Sequence, residues 1–188
     1  MLVWARRFIL KTAHPILAWA ASRHRVPLMT AEFVDKAFAS VMPGDVLVTR
    51  IEGNLANHLI PGFYTHAAMY LGKNLVIEST GEGVKTKHLA KFLFDKDRVA
   101  ILRPLFADPT QMAHACDVAK GLEGDPYDYD FTGDNRAWYC SEIIWYSYDQ
   151  AVKPAVSPFT RRETWGVETV VPQDFYLAKT KFSIIELF

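Results

Sequence analysis

Residues 65–80 read THAAMYLGKNLVIEST, two short apolar runs on either side of a Gly-Lys-Asn turn at 72–74. Runs of this kind around such a turn predict an antiparallel β-hairpin. A histidine, His66, opens the first strand, and an acid, Glu78, interrupts the otherwise apolar second strand. Folding the hairpin about Gly72 brings position 66 opposite position 78, to within a residue or two of register. We therefore expect the two side chains to be neighbours.

A carboxylate in an apolar strand is costly to bury unless it is paired. Beside an imidazole, Glu78 would accept a hydrogen bond from the Nδ1–H of His66, fix its tautomer and stabilise the imidazolium. The alternative is a cross-strand pair that only supports the sheet, worth ~0.2–1 kcal/mol. A nucleophile elsewhere in the chain would favour the catalytic interpretation.

The chain contains two cysteines, Cys116 and Cys140. Cys140 begins a predicted helix in WYCSEIIWYSYDQAV (138–152), where unpaired N–H groups and the helix dipole favour thiolate over thiol. Cys116 lies within the predicted helix at 109–122, and we assign it to the core. A thiol nucleophile needs a base, usually histidine, and His66 is the candidate because it opens a strand.

The remaining segments predict an α+β chain with helices at both ends. The first 40 residues look helical, with Thr30 as an N-cap. Strands are predicted at 46–51 and 99–104, and a short helix at 172–179 follows an irregular stretch after residue 154. We predict an N-terminal helical arm at 1–40 and a catalytic domain at 41–188.

Composition and charge exclude several classes of protein. The chain has 188 residues, a formal net charge of zero and 12 Phe, 8 Tyr and 5 Trp. So many aromatic residues exclude a disordered chain, and the balanced charge removes the basic excess typical of a nucleic-acid binder. No C-x-x-C spacing is present to hold a structural zinc ion.

The N-terminal arm reads MLVWARRFILKTAHPILAWAAS. Lys11, His14 and Pro15 interrupt its apolar run, so we expect neither a signal peptide nor a transmembrane helix. An amphipathic arm of this kind would pack against the catalytic domain, or rest peripherally on an anionic membrane surface. We expect a cytoplasmic or peripheral membrane location, with the compartment left open.

Seven short motifs occur in an order that resembles the circularly permuted branch of the NlpC-type papain-like cysteine hydrolases, the bacterial YiiX/YaeF-like amidases. They cover roughly residues 42–178, with the histidine strand before the cysteine helix as the permuted branch requires. The motifs are PGDVLVTR, THAAMYLG, VIEST with GEGV, VAILRP, GDPYDYDF, YCSEIIW and VVPQDFY.

The resemblance implies a permuted papain-like fold, an antiparallel sheet or half-barrel packed with helices. It also implies that Cys140 is the nucleophile, His66 the base and Glu78 the orienting third member. The backbone N–H of Cys140 would contribute to an oxyanion hole. Tyr64 and Tyr139 either contact the substrate or serve as packing, and Tyr139 stands where many unpermuted relatives carry Asp.

The predicted function is a cysteine amidase or peptidase that cleaves a small amide or ester through an acyl-enzyme, without a metal or organic cofactor. Crowded aromatic residues around the predicted site favour an apolar acyl group. One competing function is a lipid acyltransferase of the lecithin–retinol type, whose N-C-E-H context differs from Y-C-S-E here. An endopeptidase for peptidoglycan stem peptides, a non-catalytic binding module and a zinc site made of the same three residues would also be compatible with these positions.

Overall fold

The computed structural model describes residues 29–133, 136–152, 159, 161–164 and 166–187. The first 28 residues of the predicted arm lie outside the described residues. The boundary between arm and domain at residue 40 therefore stays a prediction.

A six-stranded antiparallel sheet forms the centre of the molecule, with strand order β4-β3-β2-β1-β5-β8. A separate two-stranded sheet pairs β6 with β7. The strands are β1 (Val46–Arg50), β2 (His66–Gly72), β3 (Leu75–Thr80), β4 (Gly83–His88), β5 (Arg98–Pro104), β6 (Arg162–Thr164), β7 (Val167–Thr169) and β8 (Phe182–Glu186).

Five α-helices are described, and a 3-10 turn lies at Leu55–His58. Thr30 caps the first helix by accepting the N–H of Phe33 at 3.4 Å, as predicted. Asp108 and Gln111 form a reciprocal capping box at the start of the helix Pro109–Gly121. The helices are α1 (Ala31–Ser40), α2 (Leu89–Leu93), α3 (Pro109–Gly121), α4 (Cys140–Val152) and α5 (Pro172–Leu177).

Helices cover both faces of the sheet because its central strands are apolar on both sides. Val46 and Val48 of β1 face a core shared with α3, α4 and α5, whereas Leu47 faces a second core shared with α1 and α2. All three side chains are fully buried. Full burial of such a side chain contributes about 1.5–3 kcal/mol, so these two cores fix the helices on the sheet. The predicted α+β class is confirmed.

The predicted β2–β3 hairpin is present, but its register differs from the direct pairing of 66 with 78. Glu78 lies opposite Ala68, and the register shifts between Tyr70 and Gly72. The turn residues 72–74 adopt φ angles of 86°, 50° and 61°, and this left-handed run displaces the centre of the hairpin. His66 is therefore a diagonal neighbour of Glu78 on the same face of the sheet.

The second half of the chain has more β-structure than we predict from the sequence. Strands β6 and β7 occupy the stretch after residue 154 that is predicted to be irregular. The last element is β8, which pairs with β5, so the prediction of helices at both ends is wrong at the C-terminal end. Strands β6 and β7 span three residues each, which is too short for a period-of-two pattern to emerge.

The described part of the predicted arm, helix α1, packs against the sheet. Lys36 donates to the backbone carbonyl of Glu186 at 3.0 Å, and Arg103 donates to that of Ser40 at 2.6 Å. Arg103 also makes a bidentate pair with Asp45, which is fully buried. These contacts join α1 to β1, β5 and β8. Across the described residues, no helix combines the length and apolarity needed to cross a membrane.

Candidate active site

His66, Glu78 and Cys140 meet at one end of the central sheet. His66 is the first residue of β2, and Glu78 lies near the end of the antiparallel neighbour β3. Cys140 is the first residue of α4, which packs against β2. The structure therefore brings together all three side chains that the sequence singled out.

The His66 ring binds Glu78 through Nε2, at 2.6 Å from Oε2. The expected contact through Nδ1 is wrong. His66 lies two residues before Ala68, the residue directly opposite Glu78. Its ring therefore reaches the carboxylate diagonally, through Nε2, the ring nitrogen farther from the backbone. Nε2 is engaged by Glu78, and Cys140 lies close enough to the ring for each group to shift the pKa of the other.

The Cys140 thiol is buried, at 5% exposure of the residue. Burial alone would raise the pKa of this thiol, but the hydrogen bond and charge of His66 and the N–H of Ala67 outweigh burial and lower it. Burial would lower the pKa of His66, yet its bonds to Cys140 and Glu78 raise that pKa to about 9. Both directions favour a thiolate–imidazolium pair.

The Glu78 side chain is only 3% exposed, and both of its oxygens have partners. Oε2 accepts from His66, and Oε1 is paired with the ammonium of Lys87 on β4. Burial would raise the pKa of this carboxyl, but His66, Lys96 and Lys87 lower it to about 2. Glu78 is therefore ionised throughout the neutral range.

The segment before Cys140 is fixed by a side chain of β3 and by one of the loop that follows α3. Ser79 of β3 donates to the carbonyl of Trp138 at 2.5 Å, and the Trp138 indole donates to Asp125 at 2.8 Å. Within α4 itself, buried Glu142 accepts the N–H of Tyr139 at 3.3 Å. The N–H groups at the start of a helix have no intrahelical acceptor, so that of Cys140 is suited to an oxyanion.

The two tyrosines predicted as substrate contacts are both nearly buried. Tyr139 is 2% exposed, accepts the N–H of Val170 at 3.3 Å and packs on Phe131. Tyr64 is 4% exposed and packs on Tyr176. Tyr64 also lines a cavity of about 330 Å³ at the same end of the sheet as His66. Contact of either residue with a substrate stays a prediction.

A second cavity, of about 600 Å³, borders the β3–β4 turn and the segment leading to Cys140. Its lining includes Gly81, Ala137 and the rings of Tyr127 and Tyr129, two of the aromatic residues expected near the site. The linings of both cavities include tyrosines, but none of His66, Glu78 and Cys140.

Cys116 lies in the core, as predicted. Its thiol donates to the carbonyl of Tyr70 at 3.5 Å, and burial raises its pKa to about 11. A thiol with such a pKa is almost entirely protonated at neutral pH, so it is a poor nucleophile.

The triad residues do not fit the zinc alternative. One oxygen of Glu78 binds the His66 ring nitrogen and the other a lysine ammonium, so a metal would have to displace a cation. Among the residues that the structure describes, no group of three or more His, Cys, Asp or Glu side chains is arranged to hold a metal ion.

Comparison with known proteins matches residues 40–184 to a family described as "Permuted papain-like amidase enzyme, YaeF/YiiX, C92 family". The chain is similar to the "Probable lipoprotein peptidase YaeF" of Escherichia coli strain K12, with 24% identity over 72% of this chain. The match spans 66% of that relative's length.

Among solved structures, the chain resembles the crystal structure described as "metalloprotein yiiX" from Escherichia coli O157:H7. The TM-score is 0.64 at 20% identity, covering 77% of this chain and 96% of that one. At this identity the likeness shows a shared fold.

Proposed function

Because the chain belongs to the family of permuted papain-like amidases of the YaeF/YiiX type, we propose that it hydrolyses a small amide or ester through a thioester on Cys140. The observation that supports this most strongly is the position of His66, which is hydrogen-bonded to Glu78 and lies close enough to Cys140 to lower the pKa of its thiol. An ion pair of His66 and Glu78 that only stabilised the sheet would not need the Cys140 thiol beside the imidazole.

The proposed reaction has two steps. The Cys140 thiolate attacks the substrate carbonyl carbon, and the oxyanion that forms receives the N–H of Cys140. When the C–N or C–O bond breaks, the His66 imidazolium gives its proton to the leaving amine or alkoxide. Neutral His66 then takes a proton from water, the hydroxide attacks the thioester, and the acid product leaves with the thiolate restored.

Glu78 does not exchange protons in this scheme. With a pKa of about 2 it stays a carboxylate, orienting the imidazole and stabilising its charged form. Its role would therefore be that of a positioning residue with a fixed charge.

We propose an apolar acyl group as the substrate portion held next to Cys140. The support is the aromatic residues in the sequence segments next to His66 and Cys140, among them Phe63, Tyr64, Trp138 and Tyr139. The test is to incubate the protein separately with N-acyl amino acids, fatty-acyl esters and peptidoglycan stem peptides. Cys140→Ala is the blank, and Cys116→Ala is the matched control that should retain full activity.

Each outcome of this panel separates one function from the rest. Cleavage of acyl amides or esters that is lost in Cys140→Ala supports the proposal. Cleavage of stem peptides alone would replace it with cell-wall hydrolysis. Faster acyl transfer to an added amine or lipid than to water would favour an acyltransferase, and activity unchanged in Cys140→Ala would refute a thiol mechanism.

A peripheral membrane contact through residues 1–40 is a separate part of the proposal. It is supported by the aromatic and basic residues of this segment and by the word lipoprotein in the name of the YaeF relative. The test compares the full chain with a chain lacking residues 1–26 for co-sedimentation with anionic liposomes. Equal binding of the two would exclude a contact through this segment, whereas aggregation of the shortened chain would indicate packing on the domain.

A further inference from the structure

We propose that Lys87 is a positioning residue of the active site, holding Glu78 by its second oxygen so that the first stays aligned with His66. The inference rests on the proposed function, since it extends the line of contacts from Cys140 through His66 and Glu78 to a fourth residue. Neither the sequence motifs nor the family description names Lys87.

The contacts place Glu78 between two partners on opposite neighbouring strands. Oε2 is hydrogen-bonded to Nε2 of His66 on β2, and Oε1 is paired with the ammonium of Lys87 on β4. The terminal torsion of a glutamate is broad, so a carboxylate with one partner can rotate. With a partner on each oxygen, the plane of this carboxylate is fixed.

The register of the sheet explains why Lys87, and not its neighbour, makes this contact. Lys85 lies directly opposite Glu78 on β4, yet its ammonium pairs with exposed Glu82 at 2.6 Å. Lys87 lies opposite Val76 and reaches Glu78 diagonally. On β2, the residue opposite Glu78 is Ala68. Its small side chain leaves room for the diagonal approach of His66.

Burial makes the second contact necessary. Glu78 is 3% exposed, so an oxygen without a partner would be held away from water at a cost of about 1–3 kcal/mol, and more for a charged group. The Lys87 side chain is 31% exposed, so it stays in contact with water. It can therefore serve as a permanent partner without a large desolvation penalty of its own.

The charged groups that act on Glu78 come from three elements. His66 approaches from β2, Lys87 from β4, and Lys96 from the turn after α2. Lys96 is itself bonded to Asp95 at 2.6 Å and acts on Glu78 only through its charge. Of the two lysines, Lys87 is therefore the one in direct contact, and its loss would both loosen the carboxylate and raise its pKa.

The test compares Lys87→Met with Lys85→Met, a matched control on the same face of the same strand. On an amide or ester that the wild-type protein cleaves, we expect Lys87→Met to lower kcat about tenfold with KM nearly unchanged. Lys85→Met should leave both constants at the wild-type values, and Lys87→Arg should restore most of kcat. Normal kcat in a folded Lys87→Met protein would overturn the proposal.

Two further measurements separate positioning from a general loss of stability. In the background of Glu78→Gln, Lys87→Met should have little further effect on kcat, because Lys87 acts through that carboxylate. In proton NMR spectra of the full chain, the His66 ring N–H signal should be present in the wild type and in Lys85→Met, and should weaken by exchange with water in Lys87→Met. An additive effect on kcat, or an unchanged signal, would contradict the proposal.

The NMR measurement needs no substrate. If Cys140→Ala retains activity, the proposed function fails while the N–H signal still decides whether Lys87 fixes Glu78. If Cys140→Ala is inactive and the signal is unchanged in Lys87→Met, the hydrolase proposal stands and the role of Lys87 is refuted.

Discussion

The His66 imidazole is hydrogen-bonded to the Glu78 carboxylate at Nε2 and lies beside the Cys140 thiol. Each of these partners favours the protonated ring, which is why its pKa rises to about 9 despite burial. The thiolate–imidazolium pair should therefore persist from the lowered pKa of Cys140 up to this value. Above it the ring loses the proton that the leaving group needs.

The pH dependence of kcat/KM tests this arrangement. We expect activity to fall on the alkaline side near pH 9, where His66 deprotonates. Glu78→Gln removes the charge that raises the pKa of His66, so the alkaline limb should move down by about one pH unit or more, with kcat reduced. A limb that moves upward, or does not move, would show that Glu78 does not act on this ring.

Alkylation by iodoacetamide tests the contrast between the two thiols. Cys140 has a lowered pKa and Cys116 a pKa of about 11, so Cys140 should react at least tenfold faster at pH 7. His66→Ala should remove most of this difference because the imidazolium no longer stabilises the thiolate. Peptide mass spectrometry identifies the labelled residue, and equal rates at both sites would contradict the assignment.

At the scale of elements, the start of α4 depends on β3. Strand β3 carries Glu78, and the next residue, Ser79, donates to the Trp138 carbonyl two residues before Cys140. One strand thus carries both the acid bonded to His66 and the hydroxyl that holds the backbone before Cys140. The two contacts are made by adjacent residues with opposite side-chain directions.

Ser79→Ala should disturb both the stability of the protein and the position of Cys140. The Trp138 carbonyl loses its hydroxyl donor, and we expect a cost of about 1–3 kcal/mol in the free energy of unfolding, with slower alkylation of Cys140. Ser147→Ala is the control, because that hydroxyl bonds only to Ile143 of its own helix at 2.6 Å. Urea unfolding and the alkylation rate measure the two effects, and equal results for both variants would argue against this role of Ser79.

The elements with strong local signals were predictable from the sequence. The β2–β3 hairpin, the capped helix at 109–121 and the helix beginning at Cys140 occur where the patterns indicate. Strand β4 was missed because its sequence, GVKTKH, is mostly polar, as befits the outer edge of a sheet. Lys87 was missed with it, since a residue that reaches the site from an unrecognised strand gives no signal of its own.

The grouping of the three site residues was predictable, but their atomic contacts were not. The pattern of an acid in an apolar strand indicated a partner for Glu78, and the helix start indicated Cys140. Which ring nitrogen faces which acid depends on a register shift near Gly72 that composition does not reveal. The family match confirms the resemblance, while the thiol-hydrolase activity and the roles of individual residues stay proposals.

At the scale of the whole molecule, a buried ion pair joins elements that are distant in the sequence. Asp45 is fully buried, accepts the N–H of Met42 at 2.8 Å and pairs with both Nε and an Nη of Arg103. Because Arg103 also bonds Ser40, the pair connects the end of α1 with β1 and β5. It is therefore a support of the overall packing, away from the active site.

Asp45→Asn should lower the free energy of unfolding by about 1–3 kcal/mol, because the amide nitrogen replaces an oxygen that accepts from Arg103 or Met42. Glu52→Gln is the control: it removes the partner of Arg50 from a pair whose acid is 39% exposed, so the expected cost is below about 1 kcal/mol. Chemical denaturation followed by circular dichroism measures both. A smaller cost for Asp45→Asn than for Glu52→Gln would contradict the importance of the buried pair.

The order of the elements along the chain has a consequence for biosynthesis. A ribosome completes β1 to β5, with His66 and Glu78, before it makes the helix that begins at Cys140, and the sheet gains β8 only later. A nascent chain thus contains His66 and Glu78 before Cys140 exists. Because His66 lowers the pKa of the Cys140 thiol, the thiol gains this reactivity only when α4 packs beside β2, and a reactive thiol would report that packing.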